Sequence, residues 1–134
     1  MSNTLSIAAS GMAVAALRLQ VSAGNIANAL SFGPLPTGRN SQGFPPAYIP
    51  LLVDQTDVAG GGTTATERAV LPSYVPIYDP TAFYADNSGM VAAPNVDLVS
   101  SLIEQILAHY TYAANAKIAS ADSRMMGSLF EIAA

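Results

Sequence analysis

Apolar residues recur along the first thirty positions in alternating steps of four and three. Leu5, Met12, Leu19 and Ile26 stand seven residues apart, and Ala9, Ala16, Ala23 and Leu30 fill the alternate places. This rhythm predicts a helix over 4–30 with a coiled-coil-like seam. Half of the seam is alanine, which lets a neighbouring backbone come close. Ile7, Val14, Leu17 and Val21 lie off the seam and are apolar too. A helix that is apolar nearly all round needs burial on more than one side. A short chain has little to cover it with, whereas neighbouring subunits would cover it. Where this helix should finish, the stretch "GNIANAL" sets Asn25 and Asn28 three residues apart, on one face. Asparagine is a middling helix former because its amide competes for backbone hydrogen bonds. Two of them here suit backbone groups left open at a helix end, or a contact with another subunit.

The pattern then changes in kind. Residues 31–94 hold all nine prolines and seven of the ten glycines. Segments 47–53 and 68–77 carry β-type residues, among them Tyr48, Ile49, Val53, Val70, Tyr74, Val75 and Ile77. Their prolines predict edge strands or extended segments rather than central strands. "GGGTTAT", from Gly60 on, reads as a mobile loop tip. From Val96 to Ile132 the helical period returns. Leu98, Leu102, Ile106, Ala113 and Ala116 form a stripe, widened by Val99, Ile103, Leu107 and Tyr110. Pro94-Asn95-Val96-Asp97 is a start signal, with Asn95 or Asp97 as the cap. Such a helix would run about 50 Å at 1.5 Å per residue, with Gly127 a weak point near its end.

The expected fold is mainly α with a small β-like insert. Its long N- and C-terminal helices pair in a coiled-coil-like bundle, and the middle projects outward. Residues 1–30 and 95–134 would form one structural unit of axial helices around the 31–94 insert.

Composition sharpens this picture. The chain has 134 residues, is 51% hydrophobic and only 10% charged. Typical domains carry about a quarter charged residues, so much of this surface is expected to face other protein. The net charge is −4, and Arg18, Arg39, Arg68, Lys117 and Arg124 are scattered. A surface that tracks nucleic-acid phosphates needs its basic residues clustered. The absence of cysteine removes disulfides and thiol catalysis, and suits passage through an oxidising compartment. Membrane insertion is not expected. The best run, Leu5 to Leu17, is broken by Ser6, Ser10 and Gly11 and stops at Arg18, short of the ~20 residues required. No basic residue precedes it, as a signal peptide would need.

Candidate chemistry is thin. His109 lies in "AHYTY" without a recognisable nucleophile or orienting group at useful spacing. The acids Asp54 with Asp57, and Asp79 with Asp86, sit among prolines and glycines, where turns and caps are the better reading. Gly60, Gly61 and Gly62 lack the lysine and hydroxyl of a phosphate loop. Neither a cofactor nor a metal site is expected. A small hydrolase or binding module would need Asp79, Asp86 and His109 to converge on one pocket.

Three stretches resemble the axial proteins of the bacterial flagellum. "LSIAASGMAVAALRLQVSAGNIANA" (5–29) is similar to the N-terminal signature shared by rod, hook and hook-associated subunits. "VPIYDPTAFYADNSGMVAAPNVDLV" (75–99) resembles a pattern peculiar to one rod subunit and its near relatives. "YAANAKIASADSRMMGSLFEI" (112–132) resembles the family's C-terminal Tyr-x-Ala-Asn helix. Together they cover roughly half the chain, in the family's order. There are departures. Gly24 stands where the family usually has an asparagine, "LSFGPLPTGRN" (30–40) replaces a Thr-Gly-Tyr turn, and Tyr110 stands where an arginine is usual. The resemblance implies a structural, non-enzymatic rod subunit in the periplasm-spanning basal body, exported by the flagellar type III system. Its partners would be copies of itself and other rod proteins, with MS-ring and export-gate components as further candidates. The subunit interface it implies joins the seam (Leu5, Ala9, Met12, Ala16, Leu19, Ala23, Ile26), Asn25 and Asn28 to the C-terminal stripe (Leu98, Leu102, Ile106) and to Tyr112, Asn115, Met126 and Leu129.

Overall fold

A computed structural model describes residues 3–36 and 43–133. Residues 37–42, which include Arg39 and the end of the divergent 30–40 stretch, lie outside the described residues. The order of elements is α1 (Asn3–Ala27), β1 (Leu51–Asp57), β2 (Thr63–Ala69), β3 (Tyr74–Tyr78), β4 (Met90–Pro94) and α2 (Leu98–Ala133). The chain therefore has two long helices and a small β middle, as its periodicity implies. β1 pairs with β2, and β3 with β4, in two separate two-stranded sheets.

Two compact units divide the chain. One holds residues 1–20, 53–67 and 103–134; the other holds 21–52 and 68–102.

α1 stops three residues earlier than its hydrophobic pattern suggests. The Asn28 amide still reaches Gly24 O at 3.1 Å, but Ser31 N then turns back to Asn28 O at 3.0 Å. Leu30, the last seam position, lies beyond the helix and is 80% exposed. α1 also corrects the expectation that no run is long enough for a membrane. By length and composition its 25 residues suffice to cross one, because the helix continues unbroken through Ser6, Ser10 and Gly11 and past its single charge, Arg18. Buried core helices and N-terminal signal sequences share this length and apolar composition. Here Arg18 Nη2 donates to Gln55 Oε1 at 3.0 Å, and Nη1 lies 3.5 Å from Glu104 Oε2.

The sheets hold more strand than the sequence suggests. "GGGTTAT" is a hairpin turn running into β2, not wholly a loop. Val58 N bonds Gly62 O at 3.1 Å, and Gly60, Gly61 and Gly62 all take positive φ. β4 is a strand of alanine, valine and proline whose partner fixes it: Pro76 faces Ala92, and Val75 faces Ala93. Pro76 costs the sheet nothing, because the Ala92 amide and carbonyl point away from it. They bond Gly33 instead, at 2.8 and 3.0 Å. Gly33 must be glycine, since a Cβ there would collide with the Pro46–Ala47 backbone. Val91 and Ala92 are consequently among the most buried residues of their unit.

α2 starts on Asp97. Its Oδ1 accepts from Val99 N (3.0 Å) and Ser100 N (3.2 Å), and its Oδ2 accepts from Ser100 Oγ (2.6 Å). Asn95 is not the cap. Its Nδ2 donates to Pro72 O at 2.8 Å, which ties the loop before β3 to the loop before α2. The Ser100 hydroxyl, with the Ser100 and Val99 amides, holds the Asp97 carboxyl below its ordinary value. A carboxylate depressed in the folded state stabilises above its unfolded pKa, and the contribution is lost as pH falls through the folded value. Acidification below the ordinary carboxylate range, near ~3.9, should therefore loosen the first turn of α2. Amide exchange at Val99 and Ser100 should show that step, and Asp97→Asn should abolish it. α2 runs on through Gly127, where an added Cβ would meet nothing within 4 Å among the described residues.

The helices bury small and polar residues. On α1 the buried line is Ala8, Ala15 and Ser22, flanked by Val14, Val21 and Asn25; on α2 it is Ser101, Ala108 and Asp122. Both lines keep a seven-residue spacing, or twice that. In the first unit, Gly11 of α1 meets Asn115 of α2 so closely that a Cβ at Gly11 would lie 2.7 Å from Asn115 Oδ1. Large apolar side chains are left outside.

Candidate subunit interface

Within the first unit, α1 divides into three faces. Ala8, Gly11 and Ala15 lie on the small-residue face that meets α2. Ile7, Ser10 and Arg18 touch the β1–β2 hairpin. Ser10 Oγ accepts the Thr63 amide at 3.1 Å, and a Cβ on Gly61 would strike Ile7. The third face carries the predicted seam, and the hairpin and α2 leave it largely open. Ala9, Ala16 and Leu19 are exposed, while Leu5 and Met12 are half-buried. Further along, Ala23 is exposed and Ile26 half-buried.

On α2 the predicted stripe is open as well. Leu98, Leu102, Ile106, Tyr112, Met126 and Leu129 are all exposed, and Asn115 is half-buried with its Nδ2 on Thr111 O at 2.9 Å. The structure brings one pair from the two helices together. Leu19 and Ile106 line a shallow groove with Gln105, His109 and Tyr110. Beyond Asp122 every described side chain of α2 is exposed, including Met125, Phe130 and Ile132. Sequence reasoning left out Phe130 and Ile132 as contact residues, though their spacing from Met126 and Leu129 signals them. It also missed Leu71 and Phe83, the latter 92% exposed.

Asn25 and Asn28 differ in what they hold. Asn25 is 6% exposed. Its Nδ2 donates to Leu51 O (2.8 Å), and its Oδ1 accepts from Leu51 N (3.0 Å) and from Tyr48 Oη (3.1 Å). The amide thus copies the paired donor and acceptor of a neighbouring strand and fastens the start of β1 to α1. Gly24 lies alongside this site, where a Cβ would stand in ordinary contact with Tyr48 Oη at 3.4 Å. Asn28 acts locally: Nδ2 donates to Gly24 O at 3.0 Å, and Oδ1 accepts from Ser31 Oγ at 3.2 Å.

The candidate acids have structural roles. Asp79 Oδ1 accepts from Thr81 N and Thr81 Oγ1, and Asp86 Oδ1 from Ser88 N and Met90 N, so each shapes a turn. Asp54 lies within β1, and Asp57 ends it. His109 is exposed and meets Tyr110 edge-on, with ring centroids 5.7 Å apart. Among the described residues, no three His, Asp or Glu side chains gather as a metal would require.

Residues 87–132 match the family model described as "Flagellar basal body rod FlgEFG protein C-terminal". The chain is 34% identical over 129 residues to the flagellar basal-body rod protein FlgC of Salmonella typhimurium, covering 92% of this chain and 91% of that one. It is 33% identical over 129 residues to FlgC of Escherichia coli O6:H1, with the same coverage. It is 32% identical over 136 residues to FlgC of Aquifex aeolicus, covering 96% and 94%. The chain belongs to the FlgC family of flagellar basal-body rod proteins.

Proposed function

We propose that this chain, a structural subunit of the flagellar basal-body rod, joins copies of itself and other rod proteins through the open faces of α1 and α2. The observation that carries the reading is the uncovered seam. A run of apolar residues at seven-residue spacing lies away from the hairpin and beside the small-residue face that meets α2, with Leu19 sharing a groove with Ile106. Small side chains on it permit close backbone approach, and desolvating it stiffens the joint. A face that meets a different face on its neighbour extends without closing, as a rod requires. In this reading, residues 1–30 and 95–134 act as one axial unit whose helices associate in coiled-coil fashion, with 31–94 carried outside it. The stack transmits torque from motor to hook and involves no catalysis. Its subunits arrive through the flagellar type III apparatus, and MS-ring or export-gate components are candidate neighbours at the end of the stack. Asn28, Tyr112 and Asn115 are candidates to add polar contacts to this interface, whereas Asn25 is buried and uses its amide inside the chain.

A map of intact basal bodies tests the proposal. It should contain the 36-residue α2 as an unbroken rod of density about 54 Å long, in subunits whose α1 seams touch neighbours. A seam facing solvent in that map would overturn it.

A further inference from the structure

We infer that the tip of the β1–β2 hairpin is a strap that orders the first half of α1 and so presents its seam for assembly. The inference rests on the seam reading above. An isolated helix of this length is marginal in water, and the outer face of α1 lacks cover until a neighbour arrives. α2 meets α1 at Gly11 and Arg18, and the hairpin touches the other flank of α1 at specific points. Gln55 of β1 takes a hydrogen bond from Arg18, and the Thr63 amide of β2 donates to Ser10 Oγ. The Ser10 hydroxyl donates in turn to Ile7 O at 2.7 Å, so one side chain ties the hairpin to the helix backbone. Glycine makes the approach possible. At Gly61 and Gly62, φ is +101° and +96°, and Cβ atoms would stand 2.9 Å from Ile7 Cδ1 and 2.7 Å from Ser10 Oγ. The three glycines thus serve a turn and a docking surface together. These contacts hold α1 by the flank opposite its seam.

Gly60 supplies the control. Its φ is +95°, yet a Cβ there meets nothing within 4 Å. Gly60→Val and Gly62→Val therefore carry the same backbone strain, and only Gly62→Val obstructs docking. Amide exchange across residues 5–14 of the isolated chain should be about tenfold faster in Gly62→Val than in Gly60→Val. Ser10→Ala, which leaves the hairpin sequence intact, should accelerate the same amides. Gly62→Val should also be recovered with purified basal bodies at a several-fold lower yield than Gly60→Val. Equal exchange in the two valine variants, or equal recovery, would overturn the strap. Ala16→Glu separates this from the seam reading, because it leaves the hairpin contacts untouched. Its exchange over 5–14 should match the wild type while its incorporation is lost. Faster exchange in Ala16→Glu would overturn the idea that the strap, rather than the seam, holds this segment.

Discussion

A strain carrying Ala16→Glu should be non-motile and should yield no basal bodies containing the altered subunit, although the subunit folds. Ala16 is exposed in the single chain, so a glutamate there meets water and displaces nothing. Surface substitutions of this kind usually change stability by no more than about 0.5 kcal/mol. Once a neighbouring helix covers the seam, the same carboxylate is buried among alanine, methionine and leucine. An unpartnered charge in such surroundings costs several kcal/mol, and every subunit along a stack repeats the cost. Ala15→Glu is the useful contrast. Ala15 is 1% exposed in the chain itself, so that change should lower the melting temperature before any assembly is attempted. Motility, basal-body recovery and the melting curve of the purified subunit together check the prediction. Normal swimming with Ala16→Glu would refute an assembly seam on this face.

The contrast between Ala15 and Ala16 also shows what the sequence could and could not reveal. Both helices were legible, because their apolar residues keep a helical period and Asp97 supplies a cap at the start of α2. Which face each helix turns inward was not. Hydrophobic patterning finds large apolar side chains, whereas the buried lines here are Ala8, Ala15 and Ser22 on α1 and Ser101, Ala108 and Asp122 on α2. Close approach at Gly11 selects small residues, and the larger ones remain outside. β2 and β4 were hidden for another reason. "TTAT" follows three glycines, and "MVAAP" is poor in β-formers. Their pairing depends on distant residues, such as Gly33 taking both backbone bonds of Ala92. The seam and the stripe were legible as spacings. The roles of Asn25 were not, since they come from Tyr48 and Leu51, more than twenty residues away along the chain.

Asn25→Ala should cost the folded chain about 3 kcal/mol, against ~1 kcal/mol or less for Asn28→Ala. Removing the Asn25 amide takes a hydrogen-bond partner from the Leu51 N–H, the Leu51 carbonyl and the Tyr48 hydroxyl in a part-buried site. An unsatisfied buried group costs about 1–3 kcal/mol, and the three losses share one cavity and do not simply add. Asn28 leaves behind only a helix-end carbonyl and an exposed serine hydroxyl, which water can reach. Urea midpoints for the two variants should separate accordingly. If Asn28 also joins subunits, Asn28→Ala will reduce basal-body incorporation by more than its melting curve explains. Asn25→Asp gives a sharper test of the proposed bonding. A carboxylate can still accept from Leu51 N and Tyr48 Oη, but it presents a lone pair to Leu51 O where a donor is needed. Burial and that repulsion raise its folded-state pKa above the ordinary ~3.9. Protonation restores the donor. The stability of Asn25→Asp relative to the wild type should therefore rise as pH falls through the raised folded value, and level off below the unfolded one. A deficit that stays constant from neutral pH to pH ~4 would mean that the Leu51 carbonyl is not what Asn25 holds.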